Sequence, residues 1–75
     1  MNDKNYYEKL ENLLRSAFEG IRNSSDVQSL ELTKEFIEHG EYGLAFDLIN
    51  EMYLEQDLPI PNDLSEAGRL MGLMS

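Results

Sequence analysis

The 75-residue chain has no cysteine, no tryptophan, one histidine, two prolines and only six lysines and arginines. Each shortage removes a class of solution. Without cysteine, neither a disulfide framework nor a thiolate metal site can staple so small a fold. One histidine leaves zinc without a ligand set, and the acidic residues do not follow the spacing of a calcium-binding loop. No glycine-rich phosphate loop is present. The lone histidine, His39, stands just before Gly40, where a positive imidazole meets the negative end of a helix dipole. A general base would also need a nucleophile and an orienting partner, and the sequence offers no such arrangement. The expectation is a non-enzyme with no catalytic residue, no metal and no cofactor.

Long apolar runs are missing too. Nothing approaches the ~20 apolar residues that span a bilayer, and Met1-Asn2-Asp3-Lys4 lacks the apolar stretch of a cleaved leader. The expected location is cytoplasmic, with no membrane contact. A chain of this size forms one domain and buries only about 60% of the surface its unfolded form exposes. Modest stability drawn from helix–helix packing follows.

What the sequence has in excess is negative charge. Fifteen acidic side chains against six basic ones give −9, unevenly spread. Residues 1–25 are balanced, whereas residues 26–57 hold nine acids against Lys34 alone. A field of that sign repels nucleic acid and attracts basic surfaces. Net charge also keeps a small protein soluble, so placement must decide between the two roles.

Periodicity and punctuation predict four helices in a compact antiparallel all-α bundle. The first spans Lys4 to Arg22, with Asp3 or Asn5 as cap. Its stripe of Tyr6, Tyr7, Leu10, Leu13, Leu14, Ala17, Phe18 and Ile21 recurs at spacings of three and four; Gly20 weakens its last turn. The second helix opens at Ser24 or Ser25, with a capping-box spacing to Gln28 and Asp26 in its first turn, and closes at His39 with Gly40 as the left-handed C′ residue. Leu30, Thr33, Phe36 and Ile37 face its core. The third helix, Glu41 to Gln56, carries a wide apolar arc of Tyr42, Ala45, Phe46, Leu48, Ile49, Met52 and Tyr53 and should be the most buried. Pro59 and Pro61 forbid continuation. A fourth helix begins near Pro61 or Asn62, with Leu64, Ala67, Leu70, Met71 and Leu73 inward, weakened by Gly68 and Gly72.

Two acidic stripes emerge from this placement. Glu31, Glu35 and Glu38 fall within an arc of about 60° on the second helix. Asp47, Glu51 and Glu55 stack at i, i+4 and i+8 on the third, with Asn50 and Leu54 beside them. Like charges four apart destabilise a helix by a few tenths of a kcal/mol, and a surface shaped for stability would interleave lysines, as the first helix does with Glu8, Lys9, Glu11 and Arg15. The stripes, with Leu54 as an apolar contact, are therefore the candidate partner-binding residues.

The stretch Phe36-Ile37-Glu38-His39-Gly40-Glu41-Tyr42-Gly43-Leu44-Ala45-Phe46-Asp47-Leu48-Ile49 resembles a segment of small bacterial immunity proteins, the MafI-like and contact-dependent growth inhibition group. The turn with Ile60-Pro61 and the closing Leu70-Met71-Gly72-Leu73 are also similar, so the resemblance covers about residues 27–74. Where that group commonly opens its last helix with serine or another cap, this chain has Pro61-Asn62. The resemblance implies a cytoplasmic protein that binds a cognate toxin C-terminal domain before it acts, often a nuclease and in part of the group an RNase of the EndoU kind. An RNase presents a basic cleft to its phosphate backbone, which acidic helices could cover, with electrostatic steering speeding association. The toxin-contacting positions come from charge placement, not from the resemblance. When free, the protein is expected to be a monomer or weak dimer.

Two other readings compete. One is an acidic adaptor or nucleic-acid mimic that sequesters a basic regulator. The other is an acyl carrier-like protein, whose carrier serine lies in an Asp-Ser-Leu motif. Here Gln28-Ser29-Leu30 lacks the aspartate, and Gly40 interrupts the path from Ser29 to the acidic turn at Ile60.

Overall fold

The expected apolar spacings do form helices. The computed structural model describes residues 3–23 and 26–73. It contains α1 (Asp3–Glu19), α2 (Val27–Glu38), α3 (Tyr42–Glu55) and α4 (Asn62–Leu70), with no strand among the described residues. The radius of gyration, 11.6 Å, is close to the roughly 11 Å of a compact domain of this length.

One core serves all four helices. Leu10, Leu14, Ala17, Phe18 and Ile21 meet Ile37, Ala45, Phe46, Ile49, Met52, Tyr53, Leu64 and Ala67 in a single buried cluster. Each such leucine or isoleucine stabilises by roughly 1.5–3 kcal/mol relative to exposure. The pairing of ends fixes the directions. Tyr6, at the start of α1, donates to the carbonyl of Leu70 at the end of α4, while Ser16 near the end of α1 donates to Asp63 at the start of α4. These two helices are therefore antiparallel. Tyr42 at the start of α3 reaches Glu11, and Tyr53 near its end reaches Ala17, so α1 and α3 run the same way. That is the up-down-up-down arrangement short connections impose.

Several boundaries differ from expectation. α1 ends at Glu19, not Arg22, and Asp3 and Asn5 lie inside it instead of capping it. The early stop has a long-range cause. The amide of Ile21 bonds to Phe18 three residues back, because the carbonyl of Ala17, its α-helical acceptor, takes the Tyr53 hydroxyl at 2.7 Å. Gly20 makes this possible: a Cβ there would lie 2.5 Å from that hydroxyl oxygen.

α2 starts one residue later than the capping-box spacing suggests. Asp26, with extended φ and ψ of −62° and 137°, is itself the N-cap and accepts from the Ser29 amide at 3.3 Å. Gln28 consequently occupies the second helical position and closes no box; Ser24 and Ser25 lie outside the described residues. Thr33, fully buried, satisfies its hydroxyl by donating to the Ser29 carbonyl at 2.7 Å.

The left-handed stop at Gly40 forms as expected, with φ of 74°. The amide of Glu41 bonds to the carbonyl of Phe36 and that of Gly40 to Ile37, the paired bonds of a Schellman motif. α3, with the largest set of buried side chains of any helix here, keeps close to its expected bounds. The inward set of α4 needs correction: Leu70 and Met71 are half-buried, but Leu73 is exposed. Gly72, at φ of 74°, turns the chain outward before Leu73. Tyr6 and Tyr7, at the open end of α1, are also exposed instead of joining the buried stripe.

Candidate functional site

Helical geometry decides where the acidic residues point. On α2 the buried pair Thr33 and Ile37 faces the core, and Glu31, Glu35 and Glu38 project from the opposite side, all three exposed. On α3 the core face is Ala45, Phe46, Ile49, Met52 and Tyr53. Asp47, Glu51, Leu54 and Glu55 are exposed on the far side, and Asn50 is half-buried at the edge of that face. Each helix thus gathers its own stripe on one surface, and α2 and α3 pack as neighbours.

The carboxylates that form ion pairs lie away from these stripes. Glu11–Arg15 at 2.8 Å and Glu19–Arg22 at 3.4 Å belong to α1 and the turn after it, and Glu66–Arg69 belongs to α4. Among the described residues none of Glu31, Glu35, Glu38, Asp47, Glu51 and Glu55 takes part in a side-chain hydrogen bond or ion pair. Lys34, the single cation of α2 and α3, bridges to none of them either. The remaining cations lie on α1, in the turn after it and on α4.

Leu54, expected as the apolar contact, is 62% exposed, and the structure adds Leu44, Leu32 and Leu58, which are also exposed. At about 100° per residue, Leu44, Asp47, Glu51 and Leu54 lie within an arc of about 80° on α3. The face is therefore a line of two leucines bracketing two carboxylates. The spacing of 44, 47, 51 and 54 is i, i+3, i+7 and i+10, the seam of a helix that meets another element. The signal was present in the sequence as a second, weaker periodicity, masked by the broad apolar arc on the other side of the same helix.

His39 is exposed at the C-cap of α2, its backbone amide bonded to Glu35. Among the described residues no group of three or more His, Asp or Glu side chains is placed to hold a metal ion. No helix among them is long and apolar enough to cross a membrane. Ser29, the residue nearest to a carrier serine, is half-buried in the first turn of α2, its amide held by Asp26.

Compared with known proteins, the chain matches no family model, no curated protein and no solved structure.

Proposed function

We propose that the chain is an immunity protein that binds a cognate toxin C-terminal domain, a nuclease of the EndoU RNase kind, and covers its basic active-site or RNA-binding surface. The observation that carries this reading is the pair of unpaired acidic outer faces, Glu31, Glu35 and Glu38 on α2 and Asp47, Asn50, Glu51, Leu54 and Glu55 on α3, with Leu44 added by its exposure. The likeness of residues 36–49 to the immunity group supports the biological setting, and the charge pattern supports a basic partner.

The physical logic runs in two steps. Long-range attraction between the −9 chain and a cationic cleft raises the encounter rate, an effect that salt suppresses beyond a Debye length of about 8–10 Å. Desolvation of Leu54 and Leu44 then slows dissociation, since buried apolar anchors carry most of an interface's energy. Carboxylates at the rim contribute register and rate more than final affinity. The protein is no enzyme in this reading and needs no cofactor; it acts in the cytoplasm, where the toxin is made.

A pull-down from the native lysate at low and then high salt, read by mass spectrometry, tests the partner. Recovery of a basic toxin fragment that elutes with salt is the expected result. The triple reversal of Asp47, Glu51 and Glu55 to Lys should then slow association by about tenfold or more at low salt without unfolding the chain. An unchanged rate would reduce the stripe to a solvated face. Recovery of a basic DNA-binding regulator would instead support the mimic reading. Synthases, together with a phosphopantetheine mass increase on Ser29, would support the carrier reading.

A further inference from the structure

Half of the chain's six cations line one cleft. It has a volume of about 260 Å³ and lies between the second half of α1, the turn that follows, and the first half of α2. Arg15, Arg22 and Lys34 stand around it with Glu19 and Glu31, and Phe18 and Leu30 supply its apolar part. Phe18 belongs to the buried core and Leu30 packs against it, so the apolar part of the wall is continuous with the core.

The donors are only partly used. Arg15 engages Glu11 through Nε, and Arg22 approaches Glu19 through Nε. The terminal guanidinium nitrogens of both have no acceptor among the described residues, and neither has the ammonium of Lys34. In a molecule so acidic, three under-used cations around one apolar-floored cleft form the reverse of the general surface. The lining holds three cations against Glu19 and Glu31, and Glu11, just outside it, offsets the third charge through the Nε of Arg15. A single monoanionic head would be met by the remaining guanidinium and ammonium donors; a dianionic phosphate would meet Glu19, Glu31 and the field of the whole chain with twice the charge. Guanidinium groups fit the two oxygens of a carboxylate through parallel N–H donors. Phe18 and Leu30 require that the head be attached to something apolar. The volume lies just below the roughly 300–1,000 Å³ of pockets for drug-sized ligands, which limits the body to one ring or a short alkyl chain.

We infer that the α1–α2 cleft is a binding site for a small amphiphilic carboxylate, whose head is held by Arg15, Arg22 and Lys34 and whose apolar body lies on Phe18 and Leu30. This site does not rest on the toxin reading; Glu31 alone is common to both surfaces.

The test is a titration of the full chain at low salt, followed by amide NMR shifts, with 3-phenylpropionate as probe. The comparison ligands are 3-phenylpropan-1-ol, 3-phenylpropylamine and inorganic phosphate. Saturable shifts confined to the neighbourhood of Phe18, Arg22, Leu30 and Lys34, for the acid alone, are expected. Arg22→Gln and Lys34→Gln should each weaken binding about tenfold while leaving the remaining spectrum in place, and Arg69→Gln on α4 should leave it unchanged. Equal response to the alcohol would show that the cations read nothing, and equal response to phosphate would show that the apolar floor does nothing. Either result overturns the site, as does a response still linear at about 10 mM acid. These ligand comparisons on the unaltered chain decide the matter even if a variant loses its fold.

Discussion

The hydroxyl of Tyr53 decides where α1 stops, and it does so by taking an acceptor that the backbone would otherwise use. Replacing Tyr53 by Phe leaves the Ala17 carbonyl without its partner in a buried setting and should cost about 1 kcal/mol or somewhat more in urea unfolding. Gly20→Ala should also destabilise, because the new methyl collides with the same hydroxyl. Combined with Tyr53→Phe, that loss should shrink, and a double-mutant cycle measures the coupling. Tyr53 has a second consequence. Burial, with a smaller effect from the Asp63 charge, holds its phenol above the ordinary value of 10.0. Burial, then the charge of Glu11 and the hydrogen bond to it, does the same for Tyr42. With folded values raised, the unfolded chain gives up these protons first. The stabilisation is complete below pH 10.0 and is lost as pH rises through the folded values. Urea midpoints should therefore fall in alkali, and Tyr53→Phe should flatten that fall. Gly43 makes the opposite case. It sits exposed in the first turn of α3 with nothing near its missing Cβ, so Gly43→Ala should raise stability by up to about 1 kcal/mol. A thermal melt checks this, and a gain would mean that the fold has no need of glycine there.

At the scale of elements, α2, α3 and α4 all close with a residue at positive φ, and one of the three is not glycine. After α3 the chain passes through Asp57 at φ of 57°, with Leu58 bonding back to Tyr53 and Asp57 to Leu54. A β-carbon in that conformation costs on the order of 1 kcal/mol. Asp57→Gly should recover much of it, raising the melting temperature, whereas Gly40→Ala should lower it by a comparable amount. Element identity was legible because the apolar spacing in each segment has a helical period and the two prolines leave only one place for the last break. Boundaries were less so, for definite reasons. The end of α1 depends on a residue 36 positions away, which no local pattern reveals. The start of α2 turned on a choice among Ser24, Ser25 and Asp26, three adjacent residues that all make good caps. Leu73 reads as one more inward residue until Gly72 is seen to turn the chain away.

For the whole molecule the dominant fact is a charge of −9 with four of the six cations on α1 and the turn after it, Arg69 on α4, and Lys34 alone on the acidic pair α2 and α3. Such self-repulsion is screened by salt, so the free protein should gain stability between about 10 mM and about 200 mM sodium chloride. A urea midpoint independent of salt would contradict it. The same addition should weaken partner binding by the proposed face, so stability and association respond to salt in opposite senses. The acidic half of that face was legible because charge is a property of residues and survives without coordinates. Its apolar half was legible only in part. Leu54 stands out among the carboxylates, but Leu44 reads as one more hydrophobic residue in a helix rich in them, and only the placement of Ala45 and Ile49 in the core shows that it must point outward. The cationic cleft was hidden for a related reason: Arg15, Arg22 and Lys34 are scattered along the chain and come together only when α1 meets α2.

The tyrosines have an optical consequence. Since the chain has no tryptophan, near-ultraviolet absorption and emission belong to its four phenols. No indole drains their excitation. Tyr53 is buried with its hydroxyl fixed on a carbonyl, Tyr6 and Tyr7 meet edge to face near the surface, and Tyr42 leans on a carboxylate. Unfolding changes each of these surroundings in a different way. The molecule can thus be watched without a label, with Tyr53 reporting the interior and Tyr42 the contact between α1 and α3.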